Sequence, residues 1–409
     1  MISTARAIAS LTTTTLLASI ATAMPAHAND ISPAPDRTIG GPSNARLNSP
    51  LGVHATPNGR TYISNFGANS IAVFAPGAAG DVPPEREIAG AATTLTTTRY
   101  LDVDPAGNVW VANGNNVTAF GPSASGNVAP AANFGAGMGT FGIAVNGGKV
   151  FVGGAATIKR FPISASGPAS VERTLTGGAL TNVRGMDVDA AGRLWVANGA
   201  GRNVLAYDRN ADGTASPLRS IKGPSTGIQF ASDVAVDSAG RIYVVDEISA
   251  TVRVFAANAN GDVAPIKVLG GPGAALSLPA GIDVGPHNAV FVANFNAARV
   301  GVYRTLFPVT VTAPSAPRGL RVSGGAKAKK RTVSWKAPAA NGNSPVTHYR
   351  IVITKGRNVL KVATVSGSRR SFTVKRSALR KGTVKVVVRA KNAKGWSAPV
   401  TRTFRVKKK

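Results

Sequence analysis

The sequence predicts an all-β chain, a six-bladed β-propeller followed by a β-sandwich. Three observations predict it. A unit of about 45 residues recurs six times, a period typical of propeller blades. Each copy carries strand-like segments separated by turn residues. At Thr310–Pro317 the composition shifts to Pro, Ser and Ala, and a second run of alternating strands follows. The cleanest copy of the unit is Ala231 to Leu269, ASDVAVDSAGRIYVVDEISATVRVFAANANGDVAPIKVL. Val234–Val236 reads as a short apolar strand. Asp237-Ser238-Ala239-Gly240 is a turn, since Asp binds its own backbone and Gly supplies a positive φ. Arg241–Val245 and Val252–Phe255 are the second and third strands. Asn260-Gly261-Asp262 makes the next turn, and Pro265–Leu269 is the fourth strand.

The second-strand aromatics keep the six copies in phase: Tyr62, Trp110, Phe151, Trp195, Tyr243 and Phe291, each 41 to 48 residues from the last by subtraction. Three residues further on stand Asn65, Asn113, Gly154, Asn198, Asp246 and Asn294. With the run DVAVDSAGRIYVVD and its following VRVF, the unit resembles the NHL family of propeller repeats over roughly Pro50 to Tyr303. At the level of the repeat it is also similar to the streptogramin lyases. That family relies on a His/Glu arrangement, and no such set can be placed on this sequence.

In chain order, residues 1–28 read as a secretory signal peptide: Arg6, a mildly apolar Thr-rich run, then Ala26-His27-Ala28 as an A-x-A cleavage site. Residues 33–41, PAPDRTIGG, repeat the fourth-strand pattern seen in VPPEREIAG at 82–90. The sixth unit ends at Tyr303 without such a strand. The N-terminal strand, 35–40, is therefore expected to complete the sixth blade and close a propeller spanning 29–309, which removes the sheet edges. Turns between first and second strands are uniform (DPAG, DAAG, DSAG), whereas the loops that join blades vary, which marks the variable face as the binding face.

Residues 310–317 read as a linker and 318–409 as a sandwich domain. Trp335, Tyr349 and the run from Val386 to Ser397 make this segment similar to an immunoglobulin-like fibronectin type III domain. It departs from that family at Val384, where the corner tyrosine would stand.

The chain has no cysteine, which excludes a disulfide framework and a zinc–thiolate site. Its net charge of +29 is segregated. Residues 311–409 hold 26 Lys and Arg and no Asp or Glu; the remaining 21 face all 18 acids, leaving +3. The tail candidates for binding a polyanion are Lys327, Lys329, Lys330, Arg331, Arg369, Arg370, Lys375, Arg376, Arg380, Lys381, Lys407, Lys408 and Lys409.

Groups suited to catalysis are few, and no nucleophile–base motif is visible. The middle position of each first strand reads His54, Asp102, Ala144, Asp187, Ala235 and Asp283. Innermost strands surround the channel, so these carboxylates and the imidazole are expected either to face a shared polar cavity or to bind neighbouring backbone. Phe66, Phe295 and Glu247 follow the second-strand Asn or Asp and are candidates for the binding face. Asp208, Asn210 and Asp212 match the opening of a calcium loop, but Arg219 stands where its glutamate belongs. No cofactor is expected.

Together these readings predict a monomeric, secreted, non-enzymatic binding protein, held at the cell envelope. The propeller would take a protein or glycan, and the basic sandwich an anionic cell-wall polymer or membrane surface; no specific nucleic acid is expected. A secreted lyase or hydrolase working over the channel is the second reading.

Overall fold

The computed structural model describes residues 30–304, 306–307 and 311–407. The expected signal segment, Lys408 and Lys409 lie outside the described residues. The chain divides into two compact units, Met1–Leu306 and Phe307–Lys409.

In the first unit, β1 (Asp30–Ile31) and β2 (Arg37–Ile39) precede blade one, the antiparallel sheet of β3 (Pro50–Ala55), β4 (Thr61–Asn65), β5 (Ser70–Phe74) and β6 (Arg86–Ile88). Blades two to five repeat this meander, with innermost strands Thr98–Val103, Gly142–Asn146, Val183–Val188 and Ala231–Val236. The sixth has three strands of its own, Pro279–Val284, Val290–Asn294 and Arg299–Tyr303, and takes β2 as its fourth, in the register Arg37 to Val302, Thr38 to Gly301 and Ile39 to Val300. The middle strands are buried on both faces, as befits sheets packed between two neighbours, and are rich in Val, Ile and aromatics.

Neighbouring blades are clasped at their rims. The Gly of each Ala-x-Gly turn donates its N–H to the outer strand of the blade before: Gly80 to Thr38, Gly126 to Glu87, Gly167 to Asn133, Gly213 to Thr174 and Gly261 to Ser220, at 2.6 to 2.9 Å. Blade six has no such turn, because its third strand is its last. There β1 runs parallel to the outer strand of blade five, Asp30 beside Val268 and Ile31 beside Leu269. The N-terminal segment thus supplies both a strand and the clasp.

The second unit is a sandwich of two sheets. Arg318–Ser323, Lys330–Lys336 and Ser371–Lys375 form one; Asn358–Ser366, His348–Lys355, Gly382–Asn392 and Val400–Val406 form the other. Trp335 and Tyr349, with ring centroids 5.3 Å apart, sit in the core with Val333, Ile351, Val386 and Val388. Val384, at the corner position, is fully buried, so it packs where a hydroxyl would have bonded. The stretch expected to be a linker is not free. Thr312 and Ser315 donate their N–H groups to Gly342 and Ala340, and the Asn392 amide binds the Thr312 carbonyl at 2.7 Å.

Candidate functional site

The propeller channel is built by the innermost strands. Two residues before the middle position stand Gly52, Tyr100, Gly142, Gly185, Asp233 and Gly281. The glycines are there because the strands converge. A Cβ on Gly142 would come within 1.9 Å of the Arg184 carbonyl oxygen, and one on Gly281 within 2.1 Å of that of Leu51. Five of the six first-to-second strand pairs shift register nearby, which bends the strand toward the axis. Tyr100 fills the space so made. Its hydroxyl lies 2.7 Å from the Ser232 carbonyl and 2.9 Å from that of Ala280, so the ring spans the channel from blade two to blades five and six. Burial raises its pKa well above the usual phenol value.

On one side of Tyr100 lies a cavity of about 70 Å³, lined by His54, Asp102, Asp187, Asp233 and Asp283 among others. The structure therefore brings the polar middle-position side chains together, and each carboxylate also binds backbone of the next blade. Asp102 accepts from Val145 N at 2.6 Å, Asp187 from Val236 N at 2.7 Å, Asp233 from Ile282 N at 2.8 Å, and Asp283 from Ala55 N at 2.6 Å. The ring thus lines a cavity and binds neighbouring backbone at the same time. His54 Nδ1 sits 3.0 Å from Asp102 and 3.7 Å from Asp283. Burial disfavours the imidazolium, but the hydrogen bond to Asp102 and the charges of Asp283, Asp102 and Asp187 outweigh it and raise the pKa to about 9. Burial, with the charge of Asp283, lifts Asp187 to about 7. Tyr100 and Asp233 were missed by the sequence reading. The signal was present, since they alone break the glycine column when the six first strands are aligned.

Tyr100 lies toward the loop face, where the chain leaves the second strands at Asn65 and Asn294. Phe66 and Phe295 meet there, with centroids 5.9 Å apart, and pack on the same apolar cluster as Tyr100 and Phe141. Phe141 carries two guanidinium groups, that of Arg99 at 4.5 Å from its centroid and that of Arg184 at 3.9 Å. Arg184 also lies over Phe230, at 5.1 Å. Glu247 reaches Arg184 at 3.4 Å, and burial raises its pKa despite that partner. Of this group the sequence reading named only Phe66, Phe295 and Glu247. The arginines stand where other blades hold Leu51, Ser232 and Ala280, and their convergence depends on ring closure.

Asp208, Asn210 and Asp212 are not brought together. Asp208 binds the N–H of Asn210, Asn210 accepts from Arg160, and Asp212 accepts from Arg173 and Thr174 N of blade three. The loop serves as a rim clasp. Among the described residues, no group of three or more His, Asp or Glu side chains could hold a metal ion.

In the sandwich, a cleft of about 650 Å³ is lined by Lys327, Lys329, Lys330, Lys375, Arg376, Lys381 and Lys407 with Ser377, Leu379 and Val406. Lys330 and Lys375 are direct partners across two strands. Arg369 and Arg370 are at the opposite end of Ser371–Lys375, with Arg370 over Tyr349, and Arg380 is exposed outside the cleft. Arg331 differs from expectation. It is 5% exposed, donates to the Arg405 carbonyl at 2.7 Å and lies over Phe404, so it is a core side chain and is not displayed to a ligand. Strand alternation sends it inward between the outward Lys330 and Thr332.

Residues 315–403 match the family model of the fibronectin type III domain. The C-terminal unit is a fibronectin type III domain. No curated protein matches the chain. Among solved structures, it is similar to the WD40 β-propeller domain of Doa1, at 14% identity over 66% of this chain and 96% of that one, with a TM-score of 0.48. It is similar to virginiamycin B lyase from Staphylococcus aureus, at 13% identity over 74% and 95%, TM-score 0.45. It is also similar to the extracellular domain of a hybrid two-component system from B. thetaiotaomicron, at 12% identity over 89% and 56%, TM-score 0.44. At such identities none of them transfers a ligand or a reaction to this chain.

Proposed function

We propose that the protein is a secreted, non-enzymatic binding protein of two modules. The basic fibronectin type III domain holds it to an anionic polymer of the cell envelope, and the propeller presents its loop face to a second ligand. The observation that carries the first part is the sandwich cleft. Seven cationic side chains line it, two of them directly opposed across a strand pair, in a domain whose sequence has no carboxylate side chain to balance them. Like charges set opposite each other cost stability, so an arrangement that keeps them is explained by a polyanion that neutralises them. The second reading, a lyase or hydrolase over the channel, gains no support from the geometry. The carboxylates it would use are each engaged with backbone of a neighbouring blade, and Tyr100 spans the channel above them.

The test is co-sedimentation of the full chain with purified envelope, before and after removal of the anionic polymers, across a salt series. We expect binding that falls steeply with salt and disappears with the polymers. Binding indifferent to both would overturn the proposal, and binding that persists on bare anionic membranes would reassign the polyanion to lipid.

A further inference from the structure

We propose that the loop-face mouth of the propeller binds a ligand through a monocarboxylate set on an apolar or aromatic body, gripped by Arg99 and Arg184. The inference rests on the reading of the propeller as a binding module and names the chemistry of its ligand. Two guanidinium groups share the ring of Phe141. Each has an Nε that is shut away from solvent and, among the described residues, has no hydrogen-bond partner. Arg99 donates through one terminal nitrogen to the Thr140 carbonyl. Arg184 has one ionic partner, Glu247, at 3.4 Å, longer than a good charge-assisted hydrogen bond. Two cations and one carboxylate leave a single positive charge in a part-buried aromatic setting. Like charges crowded there are costly unless an anion joins them.

Nothing in the repeat requires these arginines, because the matching positions hold Leu51, Phe141, Ser232 and Ala280 in the other four blades. A guanidinium held over a ring can still offer its unused terminal N–H groups to a carboxylate. The surroundings suit the rest of the ligand. Phe230 stacks beneath Arg184, the Phe66–Phe295 pair packs on the same cluster as Phe141, and Ile248, next to Glu247, is 55% exposed. The net charge of one fits a monoanion better than a phosphate dianion.

The test uses the full chain and 3-phenylpropionate as the probe, with 3-phenylpropionamide as its uncharged twin, titrated by calorimetry at fixed salt. We expect the acid to bind at least tenfold more tightly than the amide. Arg184→Gln should weaken it tenfold or more, and Arg184→Lys, which keeps the charge and loses the fork, at least threefold. Glu247→Gln should tighten it severalfold by removing the competing carboxylate, a gain that an unfolded variant cannot mimic. Equal binding of acid and amide, no binding to the wild type, or a Glu247→Gln variant without tighter binding would each overturn the proposal. Envelope sedimentation on the same preparation separates the two ideas: its failure with the probe still bound overturns the polyanion reading alone, and the converse overturns this one alone.

Discussion

The repeat is legible because a few residues do the same job in several blades. The Asp that opens each uniform turn binds the turn's own backbone and then the second-strand aromatic: Asp104 and Asp189 accept from the indoles of Trp110 and Trp195 at 3.1 and 2.8 Å, and Asp237 from the Tyr243 hydroxyl at 3.0 Å. Burial opposes the charge of Asp104 and Asp189, yet these hydrogen bonds hold both below the usual carboxylate range. The second-strand Asn needs both a donor and an acceptor. Asn198 accepts from Thr181 and Asn182 N and donates to Ala179 O, which pins the loop entering its blade. His54, Asp187, Asp233 and Asp283 in the channel differ, since they hold protons more tightly folded than unfolded. Such a proton stabilises the fold below the unfolded pKa, and that contribution is lost as pH rises through the folded value. For Asp187 the window runs from its ordinary 3.8 to about 7, and for His54 from 6.5 to about 9. Propeller stability should therefore fall as pH rises through both windows. Asp187→Asn should flatten the lower one, removing a slope of at most about 1.4 kcal/mol per pH unit. Denaturant midpoints from pH 4 to 9 check this, and an unchanged profile in the variant would refute the assignment.

Among the elements, β1 and β2 matter out of proportion to their length. β2 closes the sixth sheet, and β1 replaces the clasp that blade six lacks. Arg37 extends this contact by donating to the Ala78 carbonyl of blade one, as Arg86 does to Ala124 at 3.0 Å. Each blade buries its faces only against its neighbours, so an open ring exposes two sheet faces and an edge. Removing residues 29–41 should lower the cooperativity and the midpoint of propeller unfolding and promote self-association, read by scanning calorimetry and light scattering. Removing residues 29–33 alone, which spares β2 but takes β1, should give a smaller loss of the same kind. An unaltered midpoint in the longer deletion would mean that closure contributes little.

For the molecule as a whole, charge is the organising quantity. The ion pairs of the described residues lie in the propeller, from Arg46–Glu87 to Arg253–Asp246, whereas the sandwich has no acidic side chain to offer. A domain that carries such repulsion is less stable than it could be, by about 0.2–1 kcal/mol for one opposed cross-strand pair. Lys375→Gln should thus raise the midpoint of sandwich unfolding while lowering affinity for the envelope polymer and the steepness of its salt dependence. Opposite signs for stability and binding distinguish a binding cleft from a merely solubilising surface. A variant that gains stability and binds as before would make the charge a matter of solubility.

How much was legible followed from how local the cause was. Strand alternation, Asp and Gly in turns, and a phased aromatic depend on neighbours a few residues away, so they repeat visibly, and the six-bladed count and the sandwich follow from them. The carboxylates of the channel could be named because the middle of an innermost strand has one place to point. Arg331 was misjudged because a run of basic residues says nothing about which of them a pleated strand turns inward. Tyr100, Asp233, the Arg99–Phe141–Arg184 stack and the second duty of Asp30–Ile31 each join residues from blades far apart in the chain. Their meeting is decided by the closing of the ring and by how nearly the inner strands approach its axis, and those distances exist only once every blade has packed against the next.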